Sequence, residues 1–63
     1  MQMTKHLRKL ELCERVAELL DWADGVEIEP GRLWWLASSD VLQMALGDWP
    51  SYERLVELLT GLQ

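Results

Sequence analysis

Residues 26–36 have the sequence VEIEPGRLWWL, and this stretch decides the fold. In its first four residues, valine and isoleucine alternate with two glutamates, and a period of two is typical of a half-buried strand. The Pro-Gly pair that follows indicates a turn. The aromatic-rich residues after the pair suit a return strand. The stretch therefore predicts a β-hairpin.

The second half of this stretch has another interpretation, a helix from Arg32 to Leu46. Its apolar residues also fit helical spacing, namely Leu33, Leu36, Ala37, Val41 and Met44. A Pro-Gly pair also favours a type II turn, which matches the twist of a two-residue hairpin poorly. However, residues 38–40 (SSD) compete for backbone hydrogen bonds and are typical of a strand end followed by a helix N-cap. We favour the hairpin on that ground and keep the helix as the alternative.

Upstream, a long helix is predicted from His6 to Ala23, after a loose leader at 1–5. Bases in its first turn and an acid in its last turn oppose the helix macrodipole, so burial of a wide apolar stripe must stabilise it. Asp24-Gly25 is expected to end this helix, because glycine readily adopts the left-handed conformation. The stripe consists of Leu10, Cys13, Ala17 and Leu20, widened by Leu12, Val16 and Leu19.

Downstream, a short helix is expected from Val41 to Leu46, ended by Gly47. Trp49-Pro50 then opens a last helix, because proline suits a first helical turn, and Gly61 closes it. The predicted fold is α+β, with a long N-terminal helix, a β-hairpin, a short helix and a C-terminal helix. The alternative is an all-α three-helix bundle. A chain of 63 residues has room for a single small domain, 1–63.

The composition indicates a folded domain in the cytoplasm. Hydrophobic residues make up 49% of the chain, too many for a disordered tail. No apolar run approaches the roughly 20 residues of a membrane span, and no apolar stretch typical of a secretory signal follows the N-terminal bases. The lone Cys13 favours a reducing compartment. So short a chain has a thin core, and burial by a partner is an expected source of stability.

The charges are separated along the chain. Seven acids and one base fall between residues 11 and 29, while three bases lie just upstream. An acidic face repels nucleic acid and attracts the basic surfaces of proteins that handle nucleic acid. Direct binding of nucleic acid or of membranes is therefore not expected. The acids that we expect to contact a basic protein surface are Glu11, Glu14, Glu18, Asp21, Glu27 and Glu29.

Four tryptophans exceed what so small a core encloses. In a strand, adjacent Trp34 and Trp35 point to opposite faces. We expect Trp35 inside the fold and Trp34 outside, where it anchors the partner, because tryptophan is enriched among binding hot spots. Trp22 and Trp49 flank helix boundaries and are expected in the core.

Catalysis is not expected, and neither is a cofactor or a metal. The only histidine, His6, lies at the frayed start of the first helix, where a solvated imidazole is the ordinary interpretation. Cys13 lies on the apolar stripe beside Glu14, which disfavours a thiolate. One cysteine and one histidine cannot form a closed zinc site, and no glycine-rich phosphate loop is present.

The sequence LCERVAELLDW at 12–22, followed by GRLW at 31–34, resembles the start of small bacteriophage proteins with an α-β-α sandwich domain. The resemblance implies that a helix ending near a tryptophan leads into a short strand pair, and it brings no catalytic residues. A short, acidic, single-domain chain is also similar in kind to the accessory proteins that phages use against host machinery, anti-CRISPR proteins among them. This second likeness implies an inhibitor that occupies a basic surface reserved for nucleic acid.

The expected function is that of a small acidic protein-binding module. It would be a phage-type accessory protein in the host cytoplasm that inhibits a nucleic-acid-handling or defence protein by covering a basic surface. The alternative is a self-associating structural or regulatory subunit, a homodimer through the apolar stripe of the first helix.

Overall fold

Four helices follow one another in the computed structural model, which describes the backbone of residues 2–61 and the side chains of residues 8–61. No strand occurs in this part of the chain, so the fold is all-α and the predicted α+β fold with a β-hairpin is wrong. In chain order the helices are α1 (Gln2–Asp24), α2 (Pro30–Leu36), α3 (Ser39–Gly47) and α4 (Trp49–Gly61).

The residues expected to form the first strand of the hairpin are a linker between α1 and α2. Val26 and Ile28 are half-buried and Glu27 and Glu29 are exposed, so the period of two in the sequence does correspond to alternating burial. No neighbouring strand pairs with the linker, however. The alternating pattern correctly predicted which side chains are covered. Alternation alone is not sufficient evidence for a sheet, however, because a strand also needs a neighbouring strand to pair with.

The Pro-Gly pair begins a helix instead of a turn. Pro30 is the first residue of α2, where its fixed φ suits a helix and its missing N–H costs nothing, because the first amides of a helix have no intrahelical partner. The amide of Arg32 donates to the carbonyl oxygen of Glu29 at 2.9 Å, which closes the first turn. The residues expected in the return strand are therefore helical.

The helix alternative, Arg32 to Leu46, describes this region better but is interrupted. Ala37 (φ −140, ψ 148) and Ser38 (φ −80, ψ 165) are extended and separate α2 from α3. The amide of Val41 donates to the side-chain oxygen of Ser38 at 3.3 Å, so Ser38 caps α3. The predicted N-cap in this segment is confirmed.

The boundaries of α1 follow from its terminal residues. Gly25 adopts the left-handed conformation (φ 66), and its amide donates to the carbonyl oxygen of Asp21 at 3.0 Å, so the predicted stop is confirmed. The backbone of α1 begins at Gln2, within the segment expected to be a leader. Met1 and the side chains of residues 2–7, including the His6 imidazole, lie outside the described residues, so the predictions for them stay predictions.

The start of α4 is fixed by Asp48. The amide of Ser51 donates to the Asp48 side chain at 2.8 Å, and the amide of Tyr52 donates to the Asp48 backbone oxygen at 3.2 Å. The hydrogen bond from Ser51 holds the pKa of the Asp48 carboxyl below its ordinary value. The predicted opening of the last helix at Trp49-Pro50 is confirmed, and the helix runs through Gly61, the last described residue; whether it ends there stays a prediction.

All four helical segments contribute to one hydrophobic core. Helix α3 packs against both α1 and α4, and α2 packs against α1. Part of the stripe predicted on the first helix lies fully inside the fold, so burial accounts for a helix whose charges oppose its dipole. The core side chains are Cys13, Val16, Leu20, Leu33, Ala37, Leu42, Ala45, Tyr52, Leu55 and Leu59.

Candidate functional site

Four of the six predicted acids line one depression in the surface, with a volume of about 410 Å³. We call it the acidic depression. Three of the acids come from α1 and one from the linker that follows it. Half-buried apolar residues lie among them. The residues lining the depression are Glu14, Ala17, Glu18, Asp21, Glu27, Ile28 and Pro30.

The acidic depression results from helical spacing and from the turn at Gly25. Glu14, Glu18 and Asp21 follow one another at intervals of four and three residues, so they share one face of α1, away from the buried stripe. The linker then leaves α1 through the left-handed Gly25 and passes back beside the helix. Glu27 thereby joins the three acids of α1.

The electrostatic character of the acidic depression is uniform. Its four carboxylates belong to exposed residues, and no lysine or arginine lines it. Like charges at helical spacing repel one another, so a cation from outside is favoured here, within a Debye length of about 8–10 Å at ordinary ionic strength. Among the described residues, no group of three or more His, Cys, Asp or Glu side chains is arranged to hold a metal ion.

The remaining predicted site residues lie elsewhere. Glu11 is exposed on α1 but does not line the acidic depression. Glu29 lines a different depression, together with Arg32. Trp34 is half-buried, and the Lys9 ammonium lies 4.5 Å from the centroid of one of its rings, so the expectation of an outward-pointing Trp34 is wrong.

The other three tryptophans also differ from expectation. Trp35 is 85% exposed, because residues of a helix are about 100° apart and Trp35 falls opposite buried Leu33. Trp22 is 82% exposed and Trp49 is more than half exposed, so neither belongs to the core. Helical spacing would have predicted that Trp22 is exposed, because it lies one residue after Asp21 on the outer side of α1.

An apolar groove of about 620 Å³ lies between α3 and α4. This second surface feature was not predicted from the sequence. We call it the α3–α4 groove. Two of its exposed apolar residues, Val41 and Met44, are among those whose spacing fitted a helix in the sequence. The lining residues are Val41, Met44, Ser51, Arg54, Leu55, Glu57 and Leu58.

Cys13 has no environment for nucleophilic chemistry. Its side chain is fully buried, and burial raises the pKa of the thiol despite the nearby Lys9 ammonium. This location agrees with the sequence interpretation of Cys13 as a small core residue.

Comparisons with known proteins assign the chain to no family: no family model matches it, and neither a curated protein nor a solved structure matches it significantly. The resemblance to α-β-α sandwich proteins implied a strand pair, and the described residues contain no strand. Over the same residues, no helix combines the length and apolarity that crossing a membrane requires.

Proposed function

We propose that the chain is a small acidic protein-binding module, whose acidic depression receives lysine and arginine side chains from a basic surface of another protein. The observation that supports this proposal is the convergence of four carboxylates, without any base, on one concave surface. Electrostatic complementarity of this kind increases the association rate and selects the partner.

Charge alone does not provide tight binding, because an exposed ion pair contributes only about 0–1 kcal/mol. A nearby aromatic side chain supplies what the ion pairs lack. Trp22 is highly exposed and lies four residues after Glu18, one helical turn further along α1. Its rigid ring buries a large area when covered and attracts an arginine guanidinium through its π face. In the proposal Trp22 takes the anchoring role that the sequence gave to Trp34.

The class of partner follows from the sign of the charge. Proteins that bind nucleic acid carry lysine and arginine along the surface that contacts phosphates. An acidic module that covers such a surface competes with the nucleic acid for it. Inhibition of a host nucleic-acid-handling or defence protein by a phage-type accessory protein remains our prediction for the biological setting.

The alternative function, a homodimer through the apolar stripe of the first helix, loses its structural argument. Cys13, Val16 and Leu20 are fully buried within the chain by the other helices. Their side chains are therefore not available to pair with a second copy of α1.

Paired charge reversals test the proposal. Glu18→Lys changes a residue of the acidic depression, while Glu53→Lys makes the same change at an exposed site of α4 outside it. The probe is a nona-arginine peptide, a minimal basic surface, titrated at low ionic strength by calorimetry. We expect Glu18→Lys to weaken binding roughly 5- to 10-fold and Glu53→Lys less than about 2-fold, since one favourable contact becomes unfavourable only in the first variant.

Circular dichroism spectra of both variants provide the check that the helices are intact. Equal weakening by the two reversals would mean that the peptide senses only the net charge of −5, and the proposed site would then be wrong. As a separate variant, Trp22→Ala should also weaken binding of the peptide. An unchanged affinity in this variant would show that the indole ring lies outside the contact.

A further inference from the structure

The α3–α4 groove exposes a contiguous set of apolar side chains that the fold itself leaves uncovered. Val41 is 41% exposed, Met44 56% and Leu58 50%, while Leu55 beneath them is almost fully buried. Scattered apolar side chains on a protein surface need no explanation. A contiguous apolar patch bordered by polar residues, in contrast, is typical of a protein–protein contact.

The charges beside the groove are of both signs. Arg54 and Glu57 lie three residues apart on the exposed side of α4, and neither forms an ion pair with another described residue. When two copies of a surface meet across a two-fold axis, residue i of one copy contacts residue j of the other, and residue j contacts residue i. A base and an acid one turn apart on a helix meet this requirement when the two helices run antiparallel.

We propose that the α3–α4 groove binds a second copy of this chain. In the dimer Arg54 of each copy pairs with Glu57 of the other, and the exposed apolar side chains of the two grooves cover one another. A wholly acidic or wholly basic partner would satisfy one of the two rim charges and repel the other. A second copy satisfies both.

Self-association through this groove is compatible with the proposed function and goes beyond it. No residue lines both the α3–α4 groove and the acidic depression. The dimer therefore presents two acidic depressions to one partner or to two, and linked binding sites increase the overall affinity without any new contact. Association also suits a short chain, whose core alone provides limited stability.

The dimer is expected to be weak. Three partly exposed apolar side chains per copy form an interface well below the roughly 800 Å² per partner of a standard stable complex. We expect a dissociation constant of roughly 0.1 mM, so that the purified chain is mostly monomeric at about 10 μM and mostly dimeric at about 1 mM.

Complementary charge reversals test the pairing. Arg54→Glu places an acid opposite Glu57 at both contacts of the dimer, and Glu57→Arg places a base opposite Arg54 at both, so each variant alone should dimerise at least about 10-fold more weakly. Mixed together, the two variants form a heterodimer in which each of the two contacts joins an acid to a base, with the original pairing kept.

The charges of the two variants predict how strongly their mixture should dimerise. In the heterodimer the copy with Arg54→Glu carries two acids at its rim and the copy with Glu57→Arg carries two bases, so each acid faces a base of the other copy in the original pairing. We therefore expect the equimolar mixture to dimerise more tightly than either variant alone. Sedimentation equilibrium of each variant and of the mixture measures this. Matched controls are Arg32→Glu and Glu53→Arg, at exposed sites outside the groove.

The expected result is loss of the dimer in each single variant, recovery in the mixture, and no change in the controls. A chain that stays monomeric at about 1 mM would overturn the proposal, and so would single variants that dimerise like the unaltered chain. A mixture no tighter than the single variants would show that the rim charges do not face one another. Because both residues are exposed, circular dichroism should show intact helices in every variant. None of these results affects peptide binding at the acidic depression, so the two proposals fail separately.

Discussion

The hydrogen bond between Tyr52 and Asp24 joins α4 to the last residue of α1, and its removal should destabilise the fold measurably. The Tyr52 side chain is almost fully buried, and its hydroxyl donates to a carboxylate oxygen of Asp24. A hydrogen bond to a charged group contributes roughly 1.5–3 kcal/mol. Because Asp24 is exposed and is rehydrated when its donor is lost, we expect Tyr52→Phe to cost about 1.5 kcal/mol. In a domain of this size that cost lowers the Tm by roughly 10 °C.

A double-mutant cycle isolates this contact. The free energy of unfolding in urea is measured at neutral pH for the unaltered chain, for Tyr52→Phe, for Asp24→Ala and for the double variant. We expect the two substitutions to be coupled by about 1 kcal/mol or more, because either one removes the same hydrogen bond. Additive effects, within about 0.3 kcal/mol, would refute the reasoning and leave Tyr52 as a packing residue only.

The same contact predicts a dependence of stability on pH. Burial, followed by the hydrogen bond and the negative charge of Asp24, raises the pKa of Tyr52 to about 12 from an ordinary value of about 10. Because the pKa is higher in the folded state, this stabilisation is complete below pH 10 and is lost as the pH rises through 12. Tyr52→Phe should remove this loss between about pH 10 and 12, and an unchanged pH profile in that variant would contradict the assignment.

Three further predictions concern single positions. Gly25→Ala should cost about 1–2 kcal/mol in the free energy of unfolding, because φ is 66 there, whereas the control Gly31→Ala in α2 should be neutral or stabilising; equal effects would contradict the left-handed turn. Ser38→Ala should cost about 1 kcal/mol by loss of the α3 cap, and Ser39→Ala much less, as urea unfolding of both variants would show. Cys13 should react with a thiol reagent only as fast as the chain unfolds, and rapid labelling under native conditions would show that the thiol is not buried.

The ends of the helices were predictable because short-range chemistry determines them. Asp24-Gly25 ends α1 and Trp49-Pro50 opens α4, as glycine and proline predict at such positions. The N-cap was also found within residues 38–40. Each of these features depends on a few neighbouring residues, and the sequence displays all of them.

Helix α2 was not predictable in the same way. It has seven residues, too few for a helical period to stand out against the alternating linker before it. Pro30 fits both a turn and a first helical position, and only the packing of Leu33 against α1 distinguishes them. Because α2 was predicted as a strand, the predicted orientations of Trp34 and Trp35 were also wrong. Adjacent side chains point in opposite directions on a strand but lie about 100° apart on a helix.

The candidate site was partly predictable. The acids of α1 share a face by their spacing alone, so Glu14, Glu18 and Asp21 were found from the sequence. The path of the linker beside α1 after Gly25 determines that Glu27 joins these acids and that Glu29 does not. This path could not be predicted from the sequence. The α3–α4 groove depends on the packing of two helices and had no signal in either helix by itself.

The acidic depression as a binding surface is tested most directly by a nuclear magnetic resonance titration of the isotope-labelled chain with nona-arginine at low ionic strength. We predict that the amide signals of Glu14, Glu18, Asp21 and Glu27 shift together, along with the indole N–H of Trp22, and that added salt reverses the shifts. Shifts spread evenly over all exposed acids, or confined to α3 and α4, would contradict a binding surface at the acidic depression.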